Sequence, residues 1–120
     1  MRKLAIATGL FIILGLSSSF AQEVQSGTFA ANVNTAGYSL DKGSGDRTHT
    51  IEVSFPTGFD TKPSVILSVS TIDADKGSNL RYEVVAKSIS RDGFIITIRT
   101  WADSKIHGIG GSWLAVAAKK

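Results

Sequence analysis

The sequence contains no cysteine and only two prolines in 120 residues. Without cysteine the chain forms no disulfide bonds, so packing within or between chains must supply its stability. A bacterial lipid anchor is also excluded, since that anchor is built on a cysteine at the cleavage site. The histidines number only two, and neither has a cysteine partner for nucleophilic catalysis.

The N-terminus lacks an apolar run long enough for a membrane helix, which takes about 20 residues. Arg2 and Lys3 precede the apolar run Leu4–Leu16, three serines follow it, and Ser19-Phe20-Ala21 resembles a signal-peptidase site. We therefore predict a signal peptide over residues 1–21 that is removed near Ala21/Gln22. The mature protein, residues 22–120, is expected to be one secreted or periplasmic domain without membrane insertion.

The net charge of the predicted mature chain is also small. Beyond the predicted signal peptide the chain carries 11 basic and 10 acidic residues, because Arg2 and Lys3 belong to the signal. A near-neutral domain lacks the basic surface that nucleic acids require, so a nucleic-acid partner is not expected.

Helical periodicity is absent from the predicted domain, and short alternating runs take its place. In Thr50–Phe55, for example, the apolar residues Ile51, Val53 and Phe55 share one face. Six such runs in about 100 residues predict an all-β fold, a six-stranded antiparallel β-sandwich. The predicted strands are Val24–Phe29, Thr50–Phe55, Ser64–Ile72, Arg81–Ser90, Gly93–Trp101 and Trp113–Ala118.

Some apolar residues fall out of phase with this core. Ile66, Ile95 and either Trp113 or Leu114 are expected on the outer faces, where an oligomer would cover them. His49 is expected to be a solvated side chain.

No motif of an enzyme, metal site or cofactor site is recognisable. Asp73-Ala-Asp75-Lys-Gly77 lacks the third oxygen ligand and the later glutamate of an EF-hand loop, which favours a plain turn. The glycine-rich segments 43–46 and 108–111 lack the lysine and the helix of a phosphate loop. We therefore expect a protein that is not an enzyme and that needs no metal or cofactor.

The stretch from Trp101 to Trp113 reads as a connection that contains Lys105, His107 and three glycines. Because Phe94, Ile96 and Ile98 face inward, Trp101 has outward parity. Trp101 either caps the core through strand twist or offers its indole to the apolar face of a sugar or another flat ligand. The glycines at 108, 110 and 111 leave room for another backbone, as in a subunit interface.

Several fragments, in this order and at this spacing, are similar to the H-type lectin family. They include Val24-Gln-Ser-Gly27, Pro63-Ser-Val65, Asn79-Leu-Arg81, Thr100-Trp101 and Ser112-Trp113-Leu-Ala115. The resemblance implies a six-stranded sandwich, homotrimers, and shallow sites between subunits for galactose-type glycans, often N-acetylgalactosamine. Two stacked trimers, forming a hexamer, are the alternative assembly.

The resemblance also implies the site residues. Arg81 corresponds to the arginine that binds the axial hydroxyl of the sugar, Trp101 and His107 to the wall, and Gly45 and Asp46 to the loop from the facing subunit. Two positions depart from the family pattern: Ala102 replaces a histidine, and His107 replaces a tyrosine.

The sequence thus predicts an exported carbohydrate-binding protein. The alternative is an adhesive or structural sandwich that binds a protein partner without sugar activity, and an enzyme ranks third.

Overall fold

The computed structural model describes residues 21–120, so the predicted signal peptide lies almost entirely outside the described residues. Within that range no helix is long and apolar enough to span a bilayer. Regular structure consists of β1 (Gln22–Asn32), β2 (Arg47–Ser54), β3 (Ser64–Ala74), β4 (Glu83–Lys87), β5 (Gly93–Thr100) and β6 (Ile106–Ala118).

The strands form two three-stranded sheets, and every neighbouring pair is antiparallel. Sheet A has the order β1-β6-β3 and sheet B the order β2-β5-β4. Among these six described strands, only β4 and β5 are neighbours both in sequence and in a sheet, and a turn that contains Arg91 and Asp92 joins them. The expected antiparallel β-sandwich is confirmed.

Alternation along the strands fills the space between the sheets. In β5 the inward residues Phe94, Ile96 and Ile98 are buried, while their neighbours are half-buried. Burying one large aliphatic side chain stabilises a fold by about 1.5–3 kcal/mol. Among residues 21–120, four large aliphatic side chains are completely buried: Leu40, Ile96, Ile98 and Ile106.

An aromatic cluster closes one end of the core. The ring of Phe55 lies 4.8 Å from Phe59 and 5.6 Å from both Phe94 and Trp113. Edge-to-face and tilted pairs at such separations add about 0.5–1.5 kcal/mol each beyond their burial. Trp113 covers the backbone of Gly27, where a Cβ atom would lie 2.7 Å from the indole.

The prediction that the chain forms a connection as far as Trp113 is wrong, because β6 already begins at Ile106. A register shift opposite β3, where Asp73 pairs with Gly108 but Ala74 pairs with Ile106, leaves His107 as an extra residue and interrupts the alternation. The glycines at 108, 110 and 111 further obscure the alternation of apolar and polar side chains in β6. Gly111 accommodates the neighbouring strand of its own chain, since a Cβ there would overlap the carbonyl of Ser68.

The prediction for His49 is also wrong: the residue is 7% exposed, and its ring lies 5.4 Å from that of Tyr38. The physical reason is parity, because β2 begins at Arg47 and His49 therefore faces the same side as Ile51. The outward apolar residues are mostly as expected. Ile66 is 60% and Leu114 is 37% exposed, whereas Trp113 points inward.

Candidate functional site

Four of the five candidate residues, all except His107, meet at one end of sheet B. There β2 begins, β5 ends and β4 begins, with Arg47 paired to Thr100 and Glu83 paired to Arg99. Residues just beyond these strand ends therefore lie side by side. We call this end the Trp101 edge; it comprises Gly45, Asp46, Arg81, Arg99 and residues 101–104.

Arg81 is anchored at both its backbone and its side chain. Its N–H donates to Ser104 Oγ at 3.0 Å, and its carbonyl accepts a hydrogen bond from Thr100 Oγ1 at 2.5 Å. Its Nη1 donates to Asp103 Oδ1 at 2.5 Å. Ser104 is buried and donates to the Asn79 carbonyl. These contacts hold one side of the guanidinium against the 101–104 turn.

The charge of Arg81 acts on its partner. The hydrogen bond from Arg81 holds the pKa of the Asp103 carboxyl below its ordinary value of 3.8. The pair therefore stays ionised into the acid range. An exposed pair of this kind adds little to stability but fixes the direction of the arginine.

Trp101 is half-buried at the end of β5, outside the buried core cluster. The Cζ atom of Arg99 lies 4.6 Å from the centroid of its ring, a cation–π contact. Arg99 also reaches Asp46 at 3.5 Å and Glu83 at 3.9 Å. Arg99 thus joins Asp46 and Trp101 within a single chain.

The loop that carries Gly45 and Asp46 is fastened to the turn that follows Trp101. The Gly45 N–H donates to the Ala102 carbonyl at 2.9 Å. Both residues have left-handed backbone, with φ of +80° at Gly45 and +58° at Ala102. Glycine adopts this conformation freely, whereas alanine pays about 1–2 kcal/mol for it. A strained alanine beside a tryptophan is a feature of a constrained site.

His107 lies elsewhere, in sheet A. It lines a groove of about 500 Å³ together with Asn32, Thr71, Asp73 and Gly108. Within residues 21–120, no hydrogen bond, ion pair or ring contact connects the His107 side chain with Arg81 or Trp101. A role for His107 in the same site stays a prediction.

Sequence reasoning missed two contributors to the Trp101 edge. Arg99 stands two residues before Trp101 and so shares its strand face, a signal that was available from parity. For Asp103, nothing local in the sequence indicates that it pairs with Arg81, 22 residues away.

Metal chemistry gains no support from the geometry. In the described part of the chain, no group of three or more histidine, aspartate or glutamate side chains could hold a metal ion. The arrangement instead offers guanidinium donors, carboxylate acceptors and an aromatic ring at a shallow edge.

Comparison with known proteins places this arrangement in context. A curated relative from Fuscovulum blasticum, named ATP synthase subunits region ORF 7, is 34% identical over 76 residues, which cover 63% of this chain and 66% of the relative. Discoidin-2 of Dictyostelium discoideum is 32% identical over 80 residues, covering 65% of this chain and 31% of discoidin-2. The chain thus corresponds to about a third of discoidin-2.

Two solved structures of discoidin II from Dictyostelium discoideum share the fold. Wild-type discoidin II superposes with a TM-score of 0.74 and 27% identity over 84% of this chain and 39% of that protein. The native recombinant form gives the same TM-score and identity over 85% of this chain and 40% of its own. The family model of the H-type lectin domain matches residues 50–116, more than half of the chain. The matched segment contains Arg81, Trp101 and the strands that position them, so the chain belongs to the H-type lectin domain family.

Proposed function

We propose that this protein is an exported lectin that binds galactose-type glycans, including N-acetylgalactosamine, at the Trp101 edge. Family membership supports carbohydrate binding as such. The observation that carries the choice of site is the anchored Arg81 beside the half-exposed Trp101. An oriented cluster of N–H donors next to an aromatic surface matches a sugar, which presents hydroxyls on its rim and C–H groups on one face.

Arg81 is suited to bind hydroxyl groups. Its described side-chain contacts use Nη1, through Asp103 and Ser104, so Nη2 and Nε are the donors that we assign to the ligand. Hydrogen bonds from a charged donor are about twice as strong as neutral ones. Pre-orientation by Asp103 reduces the entropy that Arg81 loses when the sugar binds.

Trp101 supplies the wall. Arg99 covers part of the ring, so in this proposal the sugar stacks against the remaining exposed surface of the indole. The Asp46 carboxylate, with 70% of its side chain exposed, accepts hydrogen bonds from further hydroxyls.

A glycan array followed by calorimetry tests this function. Arg81→Lys removes the forked donor geometry, whereas Arg91→Lys is the matched control in the turn before β5. We expect galactosides to bind the wild type and the Arg91→Lys variant alike, and Arg81→Lys to bind about tenfold or more weakly. Absence of binding across a broad set of galactosides would favour the alternative, an adhesive sandwich that recognises a protein.

We further propose a homotrimer. The outer face of sheet A supports self-association, because Ile66 and Leu114 are exposed beside a largely apolar groove of about 490 Å³. Multi-angle light scattering tests this: Ile66→Asp should dissociate the trimer, while Thr50→Asp, on the outer face of sheet B, should not. A monomeric wild type would contradict the proposal.

We also propose that each site is shared between two subunits, so that Asp46 of one chain lies beside Arg81 of its neighbour. The competing arrangement is a site within one chain, since Asp46 also lies 3.5 Å from Arg99 of its own chain. Mixing of variants separates the two arrangements. Asp46→Ala and Arg81→Ala trimers should each fail to bind, but co-refolding them at equal amounts should restore about a quarter of the sites if chains assort randomly.

Titration with a monosaccharide counts the restored sites without interference from avidity. Mixed trimers, identified by mass spectrometry, that bind no sugar would contradict the shared site and favour the arrangement within one chain.

Export is the last part of the proposal. N-terminal sequencing of protein recovered outside the cytoplasm should give a chain that begins near Gln22. A recovered chain that retains Arg2 and Lys3 would contradict signal cleavage.

A further inference from the structure

We infer that Arg47 is a positioning residue that locks the Gly45–Asp46 loop to the turn after Trp101, and that sugar affinity at the Trp101 edge depends on this lock. The inference rests on the proposed function for its second part only. Its first part concerns backbone geometry and can be tested without any sugar.

The guanidinium of Arg47 donates to four backbone carbonyls in two separate segments. Nε donates to Gly45 O at 2.9 Å, and Nη1 donates to Lys42 O at 3.0 Å and to Leu40 O at 3.4 Å. Nη2 crosses to the other segment and donates to Ala102 O at 3.0 Å. A single side chain thus bridges the loop before β2 and the turn after β5.

The carbonyls that Arg47 binds lie outside the sheets and therefore depend on hydrogen-bond donors other than a neighbouring strand. Neither segment belongs to a sheet, so the carbonyls of Lys42, Gly45 and Ala102 have no ladder to join. The Ala102 carbonyl accepts from both Arg47 Nη2 and the Gly45 N–H, which ties it to the loop twice. These two hydrogen bonds to its carbonyl hold Ala102 at a φ of +58°.

Only arginine can make this set of contacts. Its guanidinium is planar, always charged, and carries five N–H donors in a fixed fork. A lysine ammonium at the same position keeps the charge but gathers its donors at one point, so it cannot reach carbonyls on both sides. Lys105, whose Nζ donates to one carbonyl among residues 21–120, that of Gly43 at 2.7 Å, illustrates the weaker kind of tether.

The lock has a consequence for recognition. Asp46 directly precedes Arg47, and Trp101 directly precedes Ala102, so the two ends of the bridge carry the acidic and aromatic groups of the edge. Displacement of either group by about 1 Å weakens contacts that depend on direction. Arg47 therefore acts on the ligand through Asp46 and Trp101 without contacting it.

Amide hydrogen exchange tests the lock directly. The Gly45 amide, which donates to Ala102 O, reports on the bridge, and the Ile96 amide in the centre of β5 reports on global stability. In Arg47→Lys we expect the protection of Gly45 to fall by about tenfold while that of Ile96 stays within about twofold of wild type. Arg91→Lys, which alters a single contact with the Asp60 carbonyl, should change neither amide.

Calorimetry on the same samples tests the functional part. Galactoside affinity should fall by about three- to tenfold in Arg47→Lys and stay unchanged in Arg91→Lys. Unchanged Gly45 protection in Arg47→Lys, or an equal loss at Gly45 and Ile96, overturns the inference, and so does a variant that fails to fold. Loss of Gly45 protection with unaltered affinity overturns its functional part. A wild type that binds no galactoside refutes the proposed function, while the exchange data still decide on the lock.

Discussion

Tyr38 provides a quantitative test of how the loop before β2 is held. Its ring is 6% exposed, lies 5.4 Å from that of His49, and its hydroxyl donates to the Ile106 carbonyl at 2.6 Å. Burial, reinforced by the Asp41 and Asp73 carboxylates, raises the pKa of Tyr38 from 10.0 to about 12.

This difference makes stability depend on pH. The unfolded chain releases the phenolic proton near pH 10, whereas the folded chain keeps it until about pH 12. The stability linked to the protonated phenol is therefore complete below pH 10 and is lost as the pH rises towards 12. Since one pKa unit corresponds to about 1.4 kcal/mol, the loss should reach roughly 2–3 kcal/mol.

Urea unfolding between about pH 8 and pH 12 measures the effect. Tyr38→Phe should be about 1–3 kcal/mol less stable than wild type at the lower pH, because the Ile106 carbonyl loses its donor. The variant should also lack the loss of stability at high pH that is linked to Tyr38. The difference in unfolding free energy between the variant and the wild type should therefore narrow as the pH rises. Tyr82→Phe is the matched control, since Tyr82 is the second of two tyrosines and is 40% exposed. Parallel stability curves for the wild type and Tyr38→Phe would refute the reasoning.

Four further substitutions probe the edge and the core. Asp103→Asn releases Arg81 and should weaken galactoside binding by roughly two- to tenfold with little change in stability; tighter binding in calorimetry would show that Asp103 competes with the sugar instead. Ala102→Gly should stabilise the fold by about 0.5–1 kcal/mol by relieving its left-handed backbone, as urea unfolding will measure. Ala102→His should raise the preference for N-acetylgalactosamine over galactose, because the histidine adds a hydrogen bond to the N-acetyl amide that contributes about 0.5–1.5 kcal/mol. A wild type that already prefers N-acetylgalactosamine about a hundredfold in calorimetry would contradict this reasoning. Gly27→Ala, 2.7 Å from the Trp113 indole, should cost about 1–3 kcal/mol in thermal unfolding, and Ser26→Ala on the outer face should cost almost nothing.

Local alternation was enough to predict the presence of all six strands and part of the core. Period-2 patterns depend only on neighbouring residues, so Phe94, Ile96 and Ile98 were assigned to the core correctly. The same reasoning failed where the period breaks. The register shift at His107 and the glycines after it concealed the first half of β6.

The Trp101 edge was predictable only in part. Family resemblance named Arg81, Trp101, Gly45 and Asp46, and pairing of β2, β4 and β5 brings these residues to one end of sheet B. The sequence alone contains no signal for that proximity, because antiparallel register between distant segments determines it.

Residue type and spacing along the chain are enough to give the presence of six strands, the inward face of β5 and the family. Contacts between distant parts of the chain determine which groups hold the edge in place. The Ala102 carbonyl lies 55 residues from Arg47, and the Asp103 carboxylate lies 22 residues from Arg81. Hydrogen bonds depend on distances of about 3 Å and on direction, and the chain acquires both only when the two sheets pack together.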